Sequence, residues 1–484
     1  MPQTLNPTGA PSVFGGLGRL EWSAGNPDDP FPVWQDITTF VRTENNPLRI
    51  TRGRQSELDQ IQPSQLTCDL DNTDGRFTFG YTAGPYGSTW TPAKKVRYSE
   101  TIDGRTFVRF TGWIEFPDIS DWQPIGLQYV QLTCTDRLTR LSRGRKFVST
   151  LAEHILKNNR NGALKGYWPM ADTSLSFVDI TGQQAPLTPD TVLGSLQLVA
   201  PQFQNGTVAP GDDLATLVMG YDPVNDVVGT SLASNLGGGA GIPLAAGQVM
   251  TMIAWLAPDF PDPTNTIALT GATPLYVSTN ETPAAAGAVQ WSGATVSSAA
   301  VWAPVATGTN LRFSSIGTFP RIGSGCLLPI MIQYGYSPTV IVAMLASADL
   351  GPYNISGSAP SSLTLTTLHA PQRNYAGGIA HVQLYVGAPG DFTVADYLAQ
   401  YQMGLYGLEG QLTGARINTI LDYAGVPSTD RAIDPGQSSM QKAKLAGQDP
   451  GTAIQNAVST ERGRFFAGGD GRAVFHDRIR ILNV

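Results

Sequence analysis

Carboxylates supply the first spacing that invites chemistry. Asp69, Asp71, Asn72 and Asp74 crowd in front of Gly75, and oxygen-rich loops of this kind hold calcium. The pattern departs from the helix-loop-helix calcium loop, because its fifth position is Thr73 and its glycine position is Asp74. Turn formation is the better account: Asn and Asp bond their own backbone, and Gly75 admits positive φ. A second group, Asp212, Asp213, Asp222 and Asp226, offers oxygen ligands for a calcium ion, with plain loop acidity as the favoured alternative. No metal is expected. The one basic run, Arg137, Arg140, Arg143, Arg145 and Lys146, suits a phosphate track less well than a solvated face or a salt-bridged subunit surface. The histidines, His154, His369, His381 and His476, lie far apart with no His-x-x-x-His pair to hold zinc. His381 and His476 fall in expected strands as partly buried polar residues. Neither a Gly-x-x-x-x-Gly-Lys phosphate loop nor a Gly-x-Ser-x-Gly elbow occurs. Catalytic residues and cofactors are therefore not expected, and the chain is read as a non-enzyme.

The elements that would position these groups are mostly strands. Leu66, Cys68 and Leu70 alternate with polar residues, as do Val130, Leu132 and Cys134, which is the period of a half-buried strand. Both cysteines are then buried small hydrophobes. Asp103-Gly104 joins Tyr98–Ile102 to Arg105–Phe110 as a hairpin. Thr150 with Glu153 caps a short helix carrying Leu151, Ile155 and Leu156. Apolar runs at 249–256, 266–269, 327–332, 362–368 and 380–386 alternate with Gly, Pro, Ser and Thr clusters, as in a sandwich. A closing helix is capped by Thr393 and Asp396 and stopped at Gly404. Further on, Thr413 caps a helix with Ile417, Ile420 and Leu421 that ends at Gly425. Asp449 and Pro450 open another that stops at Gly463, and a hairpin follows around Gly468-Gly469-Asp470-Gly471.

Composition agrees with a β-rich chain. Of 484 residues, 53 are Gly and 35 Pro, and only 14% are charged, which excludes a coiled coil and a highly charged disordered chain. A net charge of −7 provides no field for holding nucleic acid non-specifically. No apolar run is long enough to span a bilayer, and Met1-Pro2-Gln3-Thr4 does not open a signal peptide. Three scattered cysteines fit a reducing compartment. Charge is unevenly placed: residues 1–147 carry 16 cationic and 16 acidic groups, 148–387 only 6 and 12, and 388–484 carry 9 and 10. A compositionally foreign module thus interrupts two ordinary segments. The expected organisation is a β-rich barrel or sandwich at 1–147, a helical connector at 148–165, a β-sandwich insert at 166–404 and a small α+β segment at 405–484.

Three stretches of the insert, Gly166-Tyr167-Trp168-Pro169-Met170, Met252 to Pro258, and Ala380 to Tyr385 with the helix after Thr393, resemble the concanavalin-like, laminin-G-type jelly roll. Such domains include glycan binders, glycosidases and structural decorations. A retaining glycosidase needs two carboxylates, whereas Glu281 is the only glutamate between 166 and 404. Sugar binding would use Trp291, Trp302, Tyr334 and Tyr336, which core packing explains equally well.

The flanks resemble the minor tail, or baseplate hub, proteins of long-tailed bacteriophages of actinobacteria. The N-terminal likeness rests on Ile50-Thr51-Arg52-Gly53-Arg54, Glu57-Leu58 and Leu70-Asp71-Asn72-x-Asp74-Gly75-Arg76-Phe77. The C-terminal likeness rests on Arg416-Ile417-Asn418-x-Ile420-Leu421, Asp434-x-Gly436-Gln437-Ser438, Glu461-Arg462-Gly463, Asp470-Gly471-Arg472, Phe475 and Asp477-Arg478. The resemblance implies a structural protein of the virion tail tip, assembled in the host cytoplasm as a ring, expected to be a homotrimer. DNA would pass through the ring without specific binding. Implied partners are further copies of the chain, the distal tail protein and other minor tail proteins. The alternative is a receptor-binding adhesin whose jelly roll recognises host cell-wall glycan.

Overall fold

The computed structural model describes residues 17–29, 31–42, 47–53, 62–115, 129–190, 209–214, 217–219, 221–222, 227–228, 231–258, 275–279, 287–291, 299–304, 310–312, 328–336, 339–345, 348–354, 363–370 and 377–482. The expected strand at 266–269, together with Asp226, Glu281 and Cys326, lies outside the described residues. The chain is mainly β. It divides into two compact units: unit 1 is Met1–Phe147, Gly410–Gln441 and Gly447–Val484, and unit 2 is Val148–Glu409 with Lys442–Ala446. Six α-helices occur among the described residues: α1 (Arg137–Ser142), α2 (Thr150–Lys157), α3 (Val394–Tyr406), α4 (Thr413–Tyr423), α5 (Pro450–Glu461) and α6 (Arg478–Leu482).

In unit 1 the N-terminal strands are β1 (Leu17–Trp22), β2 (Gln35–Asp36), β3 (Val41–Arg42), β4 (Arg49–Gly53), β5 (Gln62–Asp71), β6 (Lys95–Ile102), β7 (Arg105–Ile114) and β8 (Tyr129–Thr135). They form an antiparallel sheet in the order β2-β1-β6-β7-β8-β5-β3, with β4 also on β5. The alternating residues of β5 and β8 pair across the ladder, Leu66 opposite Cys134 and Cys68 opposite Leu132, and all are buried. Burial pushes both thiols up, away from thiolate chemistry. Trp22 of β1 and Val41 of β3 come from opposite ends of the strand order yet share one apolar core, so the sheet curls around it. The Trp90 ring sits edge-on to Trp22 at 4.9 Å and to Phe77 at 4.8 Å. The β6–β7 turn has Asp103 at φ 49° and Gly104 at φ 74°, as a two-residue hairpin turn requires.

The C-terminal part of unit 1 holds α4, α5 and a three-stranded sheet in which 431–433 runs parallel to 473–476 and 464–467 antiparallel to it. No pattern in the sequence announces the strand at 431–433 or α6. Asp449 caps α5 by accepting from the Thr452 amide at 2.8 Å. Thr413 does not cap α4: it is the helix's first residue, and Leu412 before it supplies no side-chain cap. The two parts of unit 1 meet directly. Thr111 Oγ1 on β7 donates to the Gly469 carbonyl at 3.0 Å, and Arg137 Nε donates to that of Gly471 at 2.8 Å.

Unit 2 contains two larger antiparallel sheets. One runs 188–189, 232–235, 363–369, 275–279, 287–291, 299–304, 310–312, with 242–244 also on 363–369. The other runs 217–219, 377–387, 249–258, 328–336, 339–345, 348–354, with 164–168 also on 377–387. The strand 377–387 is buried along its length up to Gly387, as its nearly unbroken apolar run requires. Trp255, Tyr385 and Ala380 pack with α2 and α3 residues Leu151, Ile155 and Tyr397 in one cluster. The α2 cap is Ser149, whose hydroxyl accepts from the Ala152 amide at 3.1 Å. Glu153 accepts from the amide of Val148, the residue before the cap, so the expected Thr150–Glu153 box does not form. Thr393 and Asp396 do form a capping box on α3. Gly404, expected as the stop, instead lies inside α3, where a Cβ would collide with the Trp255 ring. The helix ends at Gly407.

Candidate functional site

The four aromatic residues proposed for sugar contact are divided between sheets. Trp291 and Trp302 lie on paired strands of the eight-stranded sheet, Tyr334 and Tyr336 on the strand 328–336 of the seven-stranded sheet. Trp291 is opposite Ala299, and Trp302 opposite Ala288.

Of the acidic group at 212–226, Asp212 and Asp213 are absorbed into the fold. Asp212 Oδ1 accepts from the Leu151 amide at 2.9 Å, and its Oδ2 lies 3.1 Å from His381 Nε2. Asp213 Oδ2 accepts from Ala446 at 2.8 Å, and Asp222 lies in a separate two-stranded ladder with 227–228. The Asp69–Gly75 segment is a turn: Asp71 accepts from Thr73 at 3.0 Å and Asn72 from Phe77 at 2.8 Å. Among the described residues, no three His, Cys, Asp or Glu side chains gather as metal ligands.

Three polar constellations remain. In unit 2, the Tyr167 hydroxyl lies 2.8 Å from His381 Nδ1, whose ring reaches Asp212 on its other side. Burial alone would raise the Asp212 carboxyl, but the His381 ring and the Leu151 amide hold it below its usual value. All three side chains are essentially inaccessible, so this arrangement resembles a proton relay but offers a substrate no approach. His381 takes a left-handed φ of 49°, a backbone strain this network holds in place. The expectation of partial burial for His381 understates its complete enclosure.

In the C-terminal part of unit 1, the fully buried Glu461 Oε2 accepts from Thr413 Oγ1, Gln437 N and Ser438 N at 2.8, 3.0 and 2.8 Å. Burial would push this carboxyl up, but those donors pull it down. Gln437 Nε2 continues to Asp477 Oδ2 at 3.0 Å, and Asp434 accepts from the Asp477 amide at 3.2 Å. Gly436 adopts φ +76°, where a Cβ would collide with Thr413 Oγ1. The motifs Asp434-x-Gly436-Gln437-Ser438, Glu461 and Asp477, scattered in sequence, thus converge on one carboxylate.

The third is a cavity of about 380 Å³ in unit 1. Asp136 caps α1 by accepting from the Leu138 amide at 2.9 Å, and one helical turn then presents Arg137 and Arg140 together. Both guanidinium groups stand by Trp113, at 5.4 and 4.7 Å from the ring centroid, with Lys95 Nζ at 5.9 Å. Arg137 pairs with Asp430 at 2.6 Å and Arg140 with Asp28 at 2.8 Å. Burial pushes both the Lys95 ammonium and the Arg137 guanidinium down from their usual values. The basic run is therefore neither a free track nor a uniformly solvated face: Arg137 is buried, and Arg143 pairs with Glu115 at 2.5 Å. Periodicity alone did not reveal the pocket, because its acidic and aromatic partners come from distant positions.

No family model and no curated protein matches this chain. Among solved structures, the binding domain of botulinum neurotoxin serotype D aligns at TM-score 0.35 and 8% identity, over 54% of each chain. The binding domain of Paraclostridial Mosquitocidal Protein 1 aligns at TM-score 0.36 and 11% identity, over 53% of this chain and 55% of that one. An endo-β-1,4-glucuronan lyase from the fungus Trichoderma reesei gives 0.26 and 9%, over 37% of this chain and 81% of the lyase. The chain spans about half the length of the two binding domains it is compared with, and likenesses at these scores assign no function.

Proposed function

We propose that the protein is a structural component of a bacteriophage tail tip, in which unit 1 is the hub scaffold and unit 2 is a displayed module contributing to host attachment. The observation that supports this reading best is the joining of 1–147 to 410–484: Thr111 to Gly469, Arg137 to Gly471 and Arg137 to Asp430 make one unit from two segments that flank a β-rich insert. The motifs that carry the resemblance to hub proteins lie in those two segments, and the Glu461 network uses several of them to fix a backbone. This use suits a scaffold, since Glu461 Oε2 is engaged by three donors of the chain itself, from Thr413, Gln437 and Ser438. The partners are then further copies of the chain in a ring, proposed as a trimer, together with neighbouring tail-tip proteins. Cell-wall glycan is the proposed target of unit 2, and no catalytic turnover belongs to the reading. Electron microscopy of particles labelled with an antibody to this chain tests it. Label at the tail tip is expected, and label on the capsid overturns the assignment.

A further inference from the structure

We propose that Asn161 is a site of spontaneous deamidation that the Asp391 carboxylate keeps latent, so that the turn between α2 and the strand 164–168 carries a one-way chemical switch. The proposal concerns unit 2 by itself and does not depend on the tail-tip reading.

Susceptibility is local. Asn161 is followed by Gly162, and both are exposed; glycine has no side chain to obstruct its nitrogen and the widest freedom of backbone rotation. In the reaction the Gly162 nitrogen gives up its proton to solvent base and bonds to Asn161 Cγ, while the Cγ–Nδ2 bond breaks and ammonia leaves. Water then opens the five-membered imide at either carbonyl, giving aspartate or isoaspartate, the latter with an added methylene in the main chain. Nothing is oxidised or reduced, and loss of ammonia to solvent makes the change irreversible. The chain's other Asn-Gly pair, Asn205-Gly206, lies outside the described residues.

The folded chain withholds that reaction. Asn161 sits in a single 3-10 turn (Arg160–Gly162) at φ 50° and ψ 21°, a left-handed conformation that asparagine tolerates. Ring closure needs the Gly162 nitrogen eclipsed with Cβ about the Cα–C bond, and at this ψ the nitrogen is turned away from the side chain. The carboxamide is also tethered: its Nδ2 donates to Asp391 Oδ1 at 2.7 Å, and Asp391 Oδ2 accepts from the Ala388 amide at 2.7 Å. The Asn161 carboxamide first, and the Ala388 amide second, hold the Asp391 carboxyl below its usual value, so it is a charged acceptor at neutral pH. Arg160 pairs with Asp396 at 2.7 Å, and Lys165 Nζ donates to the Gly162 carbonyl at 2.7 Å, which fastens the turn on either side of Asn161. Conversion reverses the central contact. The donor becomes a second carboxylate facing Asp391, and the methylene of isoaspartate lengthens the turn, so 160–162 parts from 388–391.

The test follows the full chain in mildly alkaline buffer by mass-spectrometric peptide mapping, with isoaspartate scored by its enzymatic methylation. A synthetic peptide of residues 157–166 supplies the unrestrained rate. The full chain should convert about tenfold more slowly or less, since reaction waits for local opening. Asp391→Ala should speed conversion several-fold while unit 2 still melts cooperatively, and Asp391→Asn, which keeps an acceptor, should lie nearer the parent. Gly162→Ala, where a Cβ meets nothing within 4 Å, should suppress conversion at 161. Asn161→Asp should raise hydrogen exchange across 160–163 and 388–391. Equal rates in peptide and full chain overturn the latch, and an unchanged rate in Asp391→Ala overturns the part given to Asp391. Unaltered exchange in Asn161→Asp overturns the switch, and no conversion in the peptide overturns the site.

Discussion

In unit 1 the decisive polar contacts join residues far apart in sequence and carry full charges: Arg137 reaches Asp430 across 293 positions and Gly471 across 334. In unit 2 the buried network is largely neutral. Tyr385 donates to Gln383 at 2.8 Å, Gln400 donates to Tyr385 at 3.0 Å, and Tyr167 meets His381, with Asp212 as the charged member. The difference follows from what each unit must specify. Its strands already fix the register of unit 2, so polar groups there need only be satisfied. Unit 1 must select one docking of two separately encoded segments. Buried charges do this well, because a misplaced partner leaves one uncompensated.

The contrast can be broken at its strongest point by Glu461→Ala, which orphans three donors and should cost about 3–5 kcal/mol. Hydrogen exchange should rise across 413–441 and 450–477 while 249–258 and 377–387 keep their protection. Equal deprotection of both regions would remove the distinction. Gly404→Ala probes the other side: crowding Trp255 should cost about 1–3 kcal/mol in chemical denaturation and register first on 249–258. A neutral outcome would mean that the helix shifts freely.

Acid should separate the units more gently. Burial pulls the His154 imidazole down to about 4 against a weaker opposing pull from Asp396, and burial lowers His369 as well. The unfolded chain takes up these protons near pH 6.5 while the folded one resists. The stability of unit 2 is therefore intact above 6.5 and falls as pH drops from there to about 4. In unit 1, Glu461 and Asp477 are held below their usual values, so their contribution persists above the ordinary carboxylate range and is lost only below it. His476, also lowered by burial, gives unit 1 a smaller loss of its own on the acid side of about pH 6.5. Melting followed from pH 7 to 4 should show the larger decline in unit 2, flattened by His154→Gln, and an unchanged slope in that variant would exclude His154 as the cause. The smallest effect belongs to Ser149→Ala, about 1 kcal/mol for a lost helix cap, read as faster exchange in 150–157. No change would return the capping role to Thr150.

Local grammar made much of this architecture legible. Alternation at Leu66–Leu70, the Asp103-Gly104 turn and the Thr393–Asp396 cap each depend on neighbours within a few positions, and each is present. Gly404 misled because a close approach to Trp255 and a helix stop call for the same residue. Thr413 misled because its hydroxyl serves Glu461, 48 positions away. The cavity was legible only as a basic run: nothing near Arg137 in sequence announces Trp113 or Asp430.

The interruption of unit 1 also sets a clock. At about 5–20 residues per second of synthesis, the span Val148–Glu409 separates the emergence of β1–β8 from that of Asp430 and the 464–476 hairpin by roughly 13–50 s. Through that interval Arg137 has neither its carboxylate nor the Gly471 carbonyl. A nascent sheet therefore waits, with one flank bare, for residues 410–484 to leave the ribosome.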